Sequence, residues 1–358
     1  MSKDLLRSTS LVAVLTFVSR VLGFVRDLLN ASLFGAGAGM DAFLVAWRIP
    51  NFMRRLFAEG AFSQAFVPVF SETRSTRSLE EQRHLVNVVS GDKEAAVHLV
   101  RHPLVRAVSF TGGTAGGEIL MRHAGNKKFV SELGSNAANV VLADADIDDA
   151  ARKIASAGFE ASGQQCISAQ RVLVERPVYE AFLAKFVAAA ARLKVGHSRD
   201  DATDLGPMVS IHAADRVMDM ARNALECGAS YALAPVQDGC TVSPGILVDV
   251  PRSARLWNDE VYGPLALVMP VADIDEALEL ANDSPFGLQG AVFTRSLAAA
   301  FRFAEEFDVG ALWVNEASRF RLDMYPFGGM KQSGIGREGV KYAIEELTQL
   351  KFTGIRLR

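Results

Sequence analysis

Cysteine is scarce in this chain. Cys166, Cys227 and Cys240 are the only three in 358 residues, and they show no paired spacing. That excludes a disulfide framework and a cysteine-based zinc site, and it fits a reducing, cytoplasmic compartment. The six histidines show no ligand spacing either, so no metal is expected. Charge excess is absent as well. A net charge of −3 gives no reason to expect a nucleic-acid partner. There are no internal repeats and no low-complexity tract. In the first 85 residues the longest uncharged runs are 8–19, with 12 residues, and 28–40, with 13. Neither reaches the roughly 18 to 20 apolar residues that span a bilayer unaided. The first run leads to Arg20 and Arg26 rather than to a small-residue cleavage site, which argues against a secretory signal.

What is present centres on Cys166, in Gly163-Gln164-Gln165-Cys166-Ile167-Ser168, and on Glu132, 34 residues earlier, in Ser131-Glu132-Leu133-Gly134-Ser135-Asn136. A thiol is the strongest side-chain nucleophile near neutral pH, and a carboxylate within reach supplies a general base for thioester chemistry. A lone intracellular cysteine is more often a buried structural residue. Its neighbours argue the other way. Ser162 and Gly163 break the helix begun at Asp146, and Gln164 and Gln165 keep the thiol at a loop tip before a strand at 171–174. Gly112, Gly113 and Gly117 lie between the apolar run 105–110 and a helix-like 118–123. Such a turn lets backbone approach a phosphate or a nicotinamide ring, although this one lacks the G-x-G-x-x-G form and a glycine-rich turn is usually only a turn.

Five motifs in order then identify a family. Ser109-Phe110-Thr111-Gly112-Gly113-Thr114, Glu132-Leu133-Gly134, Gly163-Gln164-Gln165-Cys166, Asn258-Asp259-Glu260-Val261-Tyr262-Gly263-Pro264 and Pro326-Phe327-Gly328-Gly329 resemble the aldehyde dehydrogenase superfamily, over residues 87–358. The resemblance implies oxidation of an aldehyde to a carboxylic acid with NAD or NADP. Cys166 would attack the carbonyl and form a thiohemiacetal, and Glu132 would activate the water that hydrolyses the thioester. The backbone N–H of Cys166 would donate to the oxyanion. Thr111, Gly112, Gly113 and Leu133 would border the cofactor, Glu260 would hold its ribose hydroxyls, and Tyr262 stands where the family most often has Phe. Ser135 departs from the family's usual Gly. Arg319, Arg321 and Phe327 fall on the loop bordering the substrate funnel. Two arginines there suit a carboxylate or phosphate on the aldehyde, or else pair with Asp323 and nearby acids to brace the loop.

Residues 1–85 resemble the start of the lipid II flippase family. The resemblance rests on 19–27, on Phe34-Gly35-Ala36-Gly37, on Asp41-Ala42-Phe43 and on 57–68, and it places Arg20, Arg26, Asp41 and Arg54 at a polar cavity. This segment is expected to be helical and of membrane type, with membrane association through residues 1–70. Two such helices enclose no cavity, so transport is not expected. Ten basic and seven acidic residues make 1–86 positive by 3, which leaves −6 for the remaining 272 residues. The seam is placed near 84–91, with a strand and turn at 88–92.

The fold expected is α/β, a doubly wound aldehyde dehydrogenase-like catalytic domain with a partial Rossmann-like cofactor domain. The divisions are 1–85, a flippase-like fragment; 86–134, a partial cofactor domain; 135–335, the catalytic domain; and 336–358, a return segment and oligomerisation strand. Strands are read at 105–111, 128–133, 139–142, 265–271, 290–294 and 311–314. Helices are read at 146–162, 177–193, 211–226, 274–282 and 297–307. The tail, 347–358, resembles the strand by which family members pair into oligomers. The family's leading portion, with a lysine for the adenosine ribose and an asparagine for the oxyanion hole, finds no counterpart here. Impaired turnover is therefore expected, and the alternative is a membrane-associated flippase fragment carrying a passenger enzyme. Preferential alkylation of Cys166 over Cys227 and Cys240 would favour the enzyme.

Overall fold

The computed structural model describes residues 87 and 89–356; the membrane-type reading of 1–85 lies outside them. Val89–Arg358 forms one unit by its internal contacts. The strand and turn expected at 88–92 is not seen among the described residues. Instead Asp92 caps helix α1 (Lys93–Arg101), its carboxylate accepting from the N–H groups of Glu94 and Ala95. An aspartate at that position satisfies donors that a helix start leaves open, and it outcompetes an extended path.

Next come β1 (Ala107–Thr111), α2 (Thr114–Ala124), β2 (Lys128–Glu132), β3 (Ala138–Val141) and α3 (Ile147–Phe159). They are followed by β4 (Arg171–Glu175), α4 (Arg176–Ala191), α5 (Ile211–Glu226) and β5 (Ser230–Leu233). The short hairpin β6 (Gln237–Asp238) and β7 (Thr241–Val242) precedes β8 (Gly245–Val248), α6 (Arg255–Asn258), β9 (Leu265–Val271) and α7 (Ile274–Asn282). The chain continues with β10 (Phe286–Gly287), β11 (Gln289–Phe293), α8 (Leu297–Glu306) and β12 (Ala311–Val314). It ends with β13 (Met330–Lys331), β14 (Gly334–Ile335) and α9 (Val340–Leu347).

Two sheets position the site. The larger has seven strands in the order β12-β11-β3-β4-β9-β8-β5. All its pairings are parallel except β5 with β8. Its central strands read as near-continuous apolar runs because helices cover both faces. One face carries Val217, Met220, Trp257, Leu267 and Phe303, and the other carries Phe159, Phe182, Phe186, Val172 and Val268. The smaller sheet has three strands, with β2 between parallel β1 and antiparallel β14. A much smaller cluster of Val100, Leu120 and Ala124 supports it through α1 and α2.

One buried cation ties the loops above the large sheet together. The Arg171 guanidinium donates to the carbonyls of Asn136 (3.1 Å), Leu280 (2.8 Å), Ala281 (2.9 Å) and Asp283 (3.2 Å). It lies 5.5 Å from the Trp257 ring centroid. Burial lowers its pKa to about 10. The tail differs from expectation. Leu347 ends α9 and residues 348–356 form no strand. With no described neighbour to pair its backbone, the segment leaves Leu350, Phe352 and Ile355 exposed. Among the described residues, no helix is long and apolar enough to cross a membrane.

Candidate active site

Glu132 is the last residue of β2, level with Thr111 of β1 and Gly334 of β14. Ligands of parallel sheets gather at this carboxyl end of the strands. Its side chain is 4% exposed, and neither carboxyl oxygen has a hydrogen-bond partner. A β-carbon at Gly328 would lie 3.0 Å from its Oε1, so a glycine there lets the carboxyl rest on backbone. Burial is the main cause, with help from Glu338, of a pKa raised to about 8, against the opposing charges of Arg321 and Arg337. The carboxyl therefore rests protonated at neutral pH.

Cys166 follows an abrupt end to α3. In the turn Glu160–Gly163, Ala161 and Ser162 take φ of 53° and 57°, and Gly163 takes 65°. A β-carbon at Gly163 would meet the Gly263 carbonyl oxygen at 2.1 Å, so this approach requires glycine. The segment is tied down by Ser162 Oγ donating to the Gly206 carbonyl (2.7 Å) and by Gln164 Oε1 accepting from the Val209 N–H (2.9 Å). Cys166 thus sits in a held turn, half-buried against Ile167, Leu288 and Phe327, rather than at an exposed tip. Burial first, then the charges of Glu260 and Glu132, push its thiol up to about 11, while its own backbone N–H and Arg321 favour the thiolate. Thiol and carboxyl therefore meet at one place: Cys166 packs on Phe327 and Glu132 lies on Gly328.

The residues expected at the cofactor fall into two groups. Gly112 and Leu133 are occupied internally. The Gly112 N–H donates to the Glu132 carbonyl (3.1 Å), the Leu133 N–H donates to the Ser333 carbonyl (2.9 Å), and the Leu133 side chain packs on Gly117. Thr111, Gly113, Glu260 and Tyr262 border the open side. Gly113 caps α2 without a side-chain hydrogen bond, and a β-carbon there would meet nothing within 4 Å. Glu260 Oε1 accepts from the Ser135 N–H (3.1 Å), and Oε2 lies 2.8 Å from where a β-carbon on Gly134 would stand. The departure at Ser135 therefore contributes a backbone donor to Glu260. Burial raises the Glu260 pKa, opposed by that N–H and by Arg216. Tyr262 is half-exposed with φ of 45°.

Both arginines of the 319–323 loop have acidic partners. Arg319 pairs with Glu160 on the turn before the thiol. Arg321 pairs with Glu338 (2.8 Å) and Asp323 (4.0 Å), and its guanidinium stacks 4.0 Å above the Phe327 ring. This favours bracing over a free clamp, although the charge of Arg321 still reaches both Glu132 and Cys166.

Four contributors escaped the sequence reading. Ser333 Oγ donates to the Gly134 carbonyl (2.7 Å) and accepts from the Gly287 N–H (3.0 Å), joining both sheets. Arg337 donates to the Gly329 carbonyl (3.0 Å), and Glu338 backbone pairs with Phe327. Arg216 binds the carbonyls of 260–262. Glycines beside Ser333 and Arg337 were a usable signal for close backbone approach. Arg216, inside an ordinary amphipathic pattern, gave none.

Known proteins show the same arrangement of sequence and fold. The model described as "Aldehyde dehydrogenase family" matches residues 73–353, and that described as "Lipid II flippase MurJ" matches residues 30–100. The chain is 39% identical over 273 residues to the 3-sulfolactaldehyde dehydrogenase of Priestia aryabhattai, covering 76% of this chain and 57% of that protein. It is 38% identical to a putative aldehyde-dehydrogenase-like protein, y4uC, of Sinorhizobium fredii, covering 79% and 56%. The chain thus spans a little over half the length of the curated relatives it matches. The glyceraldehyde-3-phosphate dehydrogenase GapN of Methanocaldococcus jannaschii, solved with NADP, superposes with a TM-score of 0.73 at 33% identity, covering 81% of this chain and 63% of that one. With five ordered motifs, a thiol and carboxyl meeting beneath one glycine, and relatives matched across three quarters of its length, the chain belongs to the aldehyde dehydrogenase family.

Proposed function

We propose that this chain carries the thiol half-reactions of an NAD(P)-dependent aldehyde oxidation, with Cys166 as nucleophile and Glu132 as base. The convergence of both side chains on Phe327–Gly328 carries this reading. Cys166 sulfur adds to the aldehyde carbon and its proton leaves, giving a thiohemiacetal whose oxygen is met by the Cys166 N–H. When bound, a nicotinamide supplies the hydride acceptor that turns this adduct into a thioester. Glu132, once deprotonated, takes a proton from water, which attacks the thioester and returns acid and free thiol.

The residues present fit such a cofactor. The uncapped start of α2 at Gly113 offers free N–H groups to a phosphate, and the space over that glycine is open. Glu260 keeps one oxygen for a sugar hydroxyl, while Thr111 and Tyr262 flank the same opening. NADP or NAD is proposed because the GapN structure holds NADP. Short aldehydes with an anionic end are the proposed substrates, since relatives are named for 3-sulfolactaldehyde, sulfoacetaldehyde and aspartate semialdehyde. Such a group would exchange for Glu338 at Arg321, next to Phe327.

Incubation with 3-sulfolactaldehyde, lactaldehyde or propanal, and with NAD or NADP, should form reduced nicotinamide, fastest with the anionic aldehyde. Cys166→Ala should abolish this. Glu132→Gln should leave an acyl-enzyme detectable by mass spectrometry, with turnover lowered on the order of 100-fold or more. No aldehyde adduct on Cys166 by mass spectrometry would end the reading.

The division into 1–85, 86–134, 135–335 and 336–358 remains the proposed domain plan, supported by the separate three-stranded and seven-stranded sheets. The exposed apolar tail supports a homo-oligomer. A second reading, membrane association through residues 1–70, rests on the flippase match over 30–100. Carbonate-resistant membrane recovery of the full chain would support it, and recovery in the supernatant would overturn it.

A further inference from the structure

We infer that Arg216 on α5 is a positioning residue that locks the 260–262 loop in a strained shape and thereby presents the Glu260 carboxyl to the cofactor. The inference rests on the cofactor reading above.

Three observations meet here. First, the backbone is held where it would not rest alone. Tyr262 takes φ of 45°, a region that side-chain-bearing residues avoid at a cost, unless surroundings impose it. Second, one guanidinium spans three successive carbonyls. Arg216 Nη1 donates to Glu260 O (3.3 Å), and Nη2 donates to Val261 O and to Tyr262 O (3.4 Å). Carbonyls of a left-handed kink point the same way, and a planar fork suits such a row better than an ammonium does. Third, the neighbouring side chain fixes the register. A β-carbon at Gly263 would lie 2.4 Å from Val217, so the loop can only lie down on α5 with glycine at 263. Gly263 in turn supports the turn that leads to the thiol, since its carbonyl fills the space a side chain at Gly163 would need.

Arg216 also acts through charge. It favours the ionised form of Glu260, the form able to accept from two sugar hydroxyls. Its other neighbours are Arg255, which opposes it, and Asp259, which supports it. Because the side chain is spent on carbonyls and on Met220 Sδ (3.4 Å), it does not itself reach toward a ligand.

The test compares Arg216→Met and Arg216→Lys with the parent full chain. Hydrogen–deuterium exchange of peptides covering 259–264 should rise roughly tenfold in Arg216→Met, as loss of charge-assisted hydrogen bonds implies, with peptides from 265–271 unchanged. NADP binding, followed by tryptophan fluorescence, should weaken by about tenfold in Arg216→Met and less in Arg216→Lys, while the rate of Cys166 alkylation changes less than about twofold. Unchanged exchange at 259–264 would overturn the clamp. Faster exchange with unaltered NADP affinity would overturn its link to the cofactor. If the parent chain binds neither NAD nor NADP, the cofactor reading and the link to Glu260 presentation fall together, while exchange alone still decides the lock. If Arg216→Met does not fold, Arg216→Lys decides by the same two readouts.

Discussion

At the residue scale the resting site is electrically quiet. Below about pH 8 the Glu132 carboxyl keeps its proton, and the Cys166 thiol keeps its own to about 11. Preferential alkylation of Cys166 is therefore not expected of the resting protein. Exposed Cys227 should react first with iodoacetamide near neutrality, and the Cys166 rate should climb about tenfold per pH unit toward the thiol pKa. Peptide mapping after timed alkylation checks the order. Stability carries the same signature. The folded state holds the Glu132 proton more tightly than the unfolded chain, whose value is near 4.5. Its contribution is thus full below 4.5 and is lost as pH rises through 8, a change on the order of 3 kcal/mol. Glu132→Gln should remove that part of the pH dependence, raising Tm relative to the parent at about pH 9 and much less at pH 5. Equal pH slopes in the two proteins would show that Glu132 is hydrated rather than sealed.

At the element scale, the turn between α3 and β4 and the Arg171 hub are the points where single changes do most damage. Gly163→Ala puts a methyl against the Gly263 carbonyl at a left-handed position. It should cost about 2 kcal/mol or more and shift the thiol, seen as a lower urea midpoint together with altered Cys166 alkylation. Arg171→Met leaves four buried carbonyls without their donor, with an expected loss of about 3 kcal/mol or more. Much of this architecture was legible. Bounds at 211–226, 265–271, 274–282 and 311–314 agree with the structure, because Ser210 and Asp273 cap apolar-periodic runs and β9 is apolar throughout. Strands β5 and β8 went unread, being four residues each with no alternation to mark them. Glu132 and Cys166 were legible from motifs. Arg216, Arg171 and Ser333 were not, because their partners are backbone groups that no side-chain pattern announces.

At the scale of the whole molecule, the expected pairing strand is instead an irregular tail with three large apolar side chains in solvent. Exposed apolar segments of this kind promote association. Sedimentation velocity should show concentration-dependent oligomers, and Phe352→Glu together with Ile355→Glu should return the protein to the smallest species; a monomer at all concentrations would remove the tail from the assembly. The two sheets also differ in support, since the large one is flanked by extensive cores on both faces and the small one rests on three buried apolar side chains. The nucleophile belongs to the first and the base to the second. Mild heating would accordingly strand a competent sulfur without its hydrolytic partner. The protein would then age into a form that captures acyl groups once and never lets them go, long before its circular dichroism records any melting.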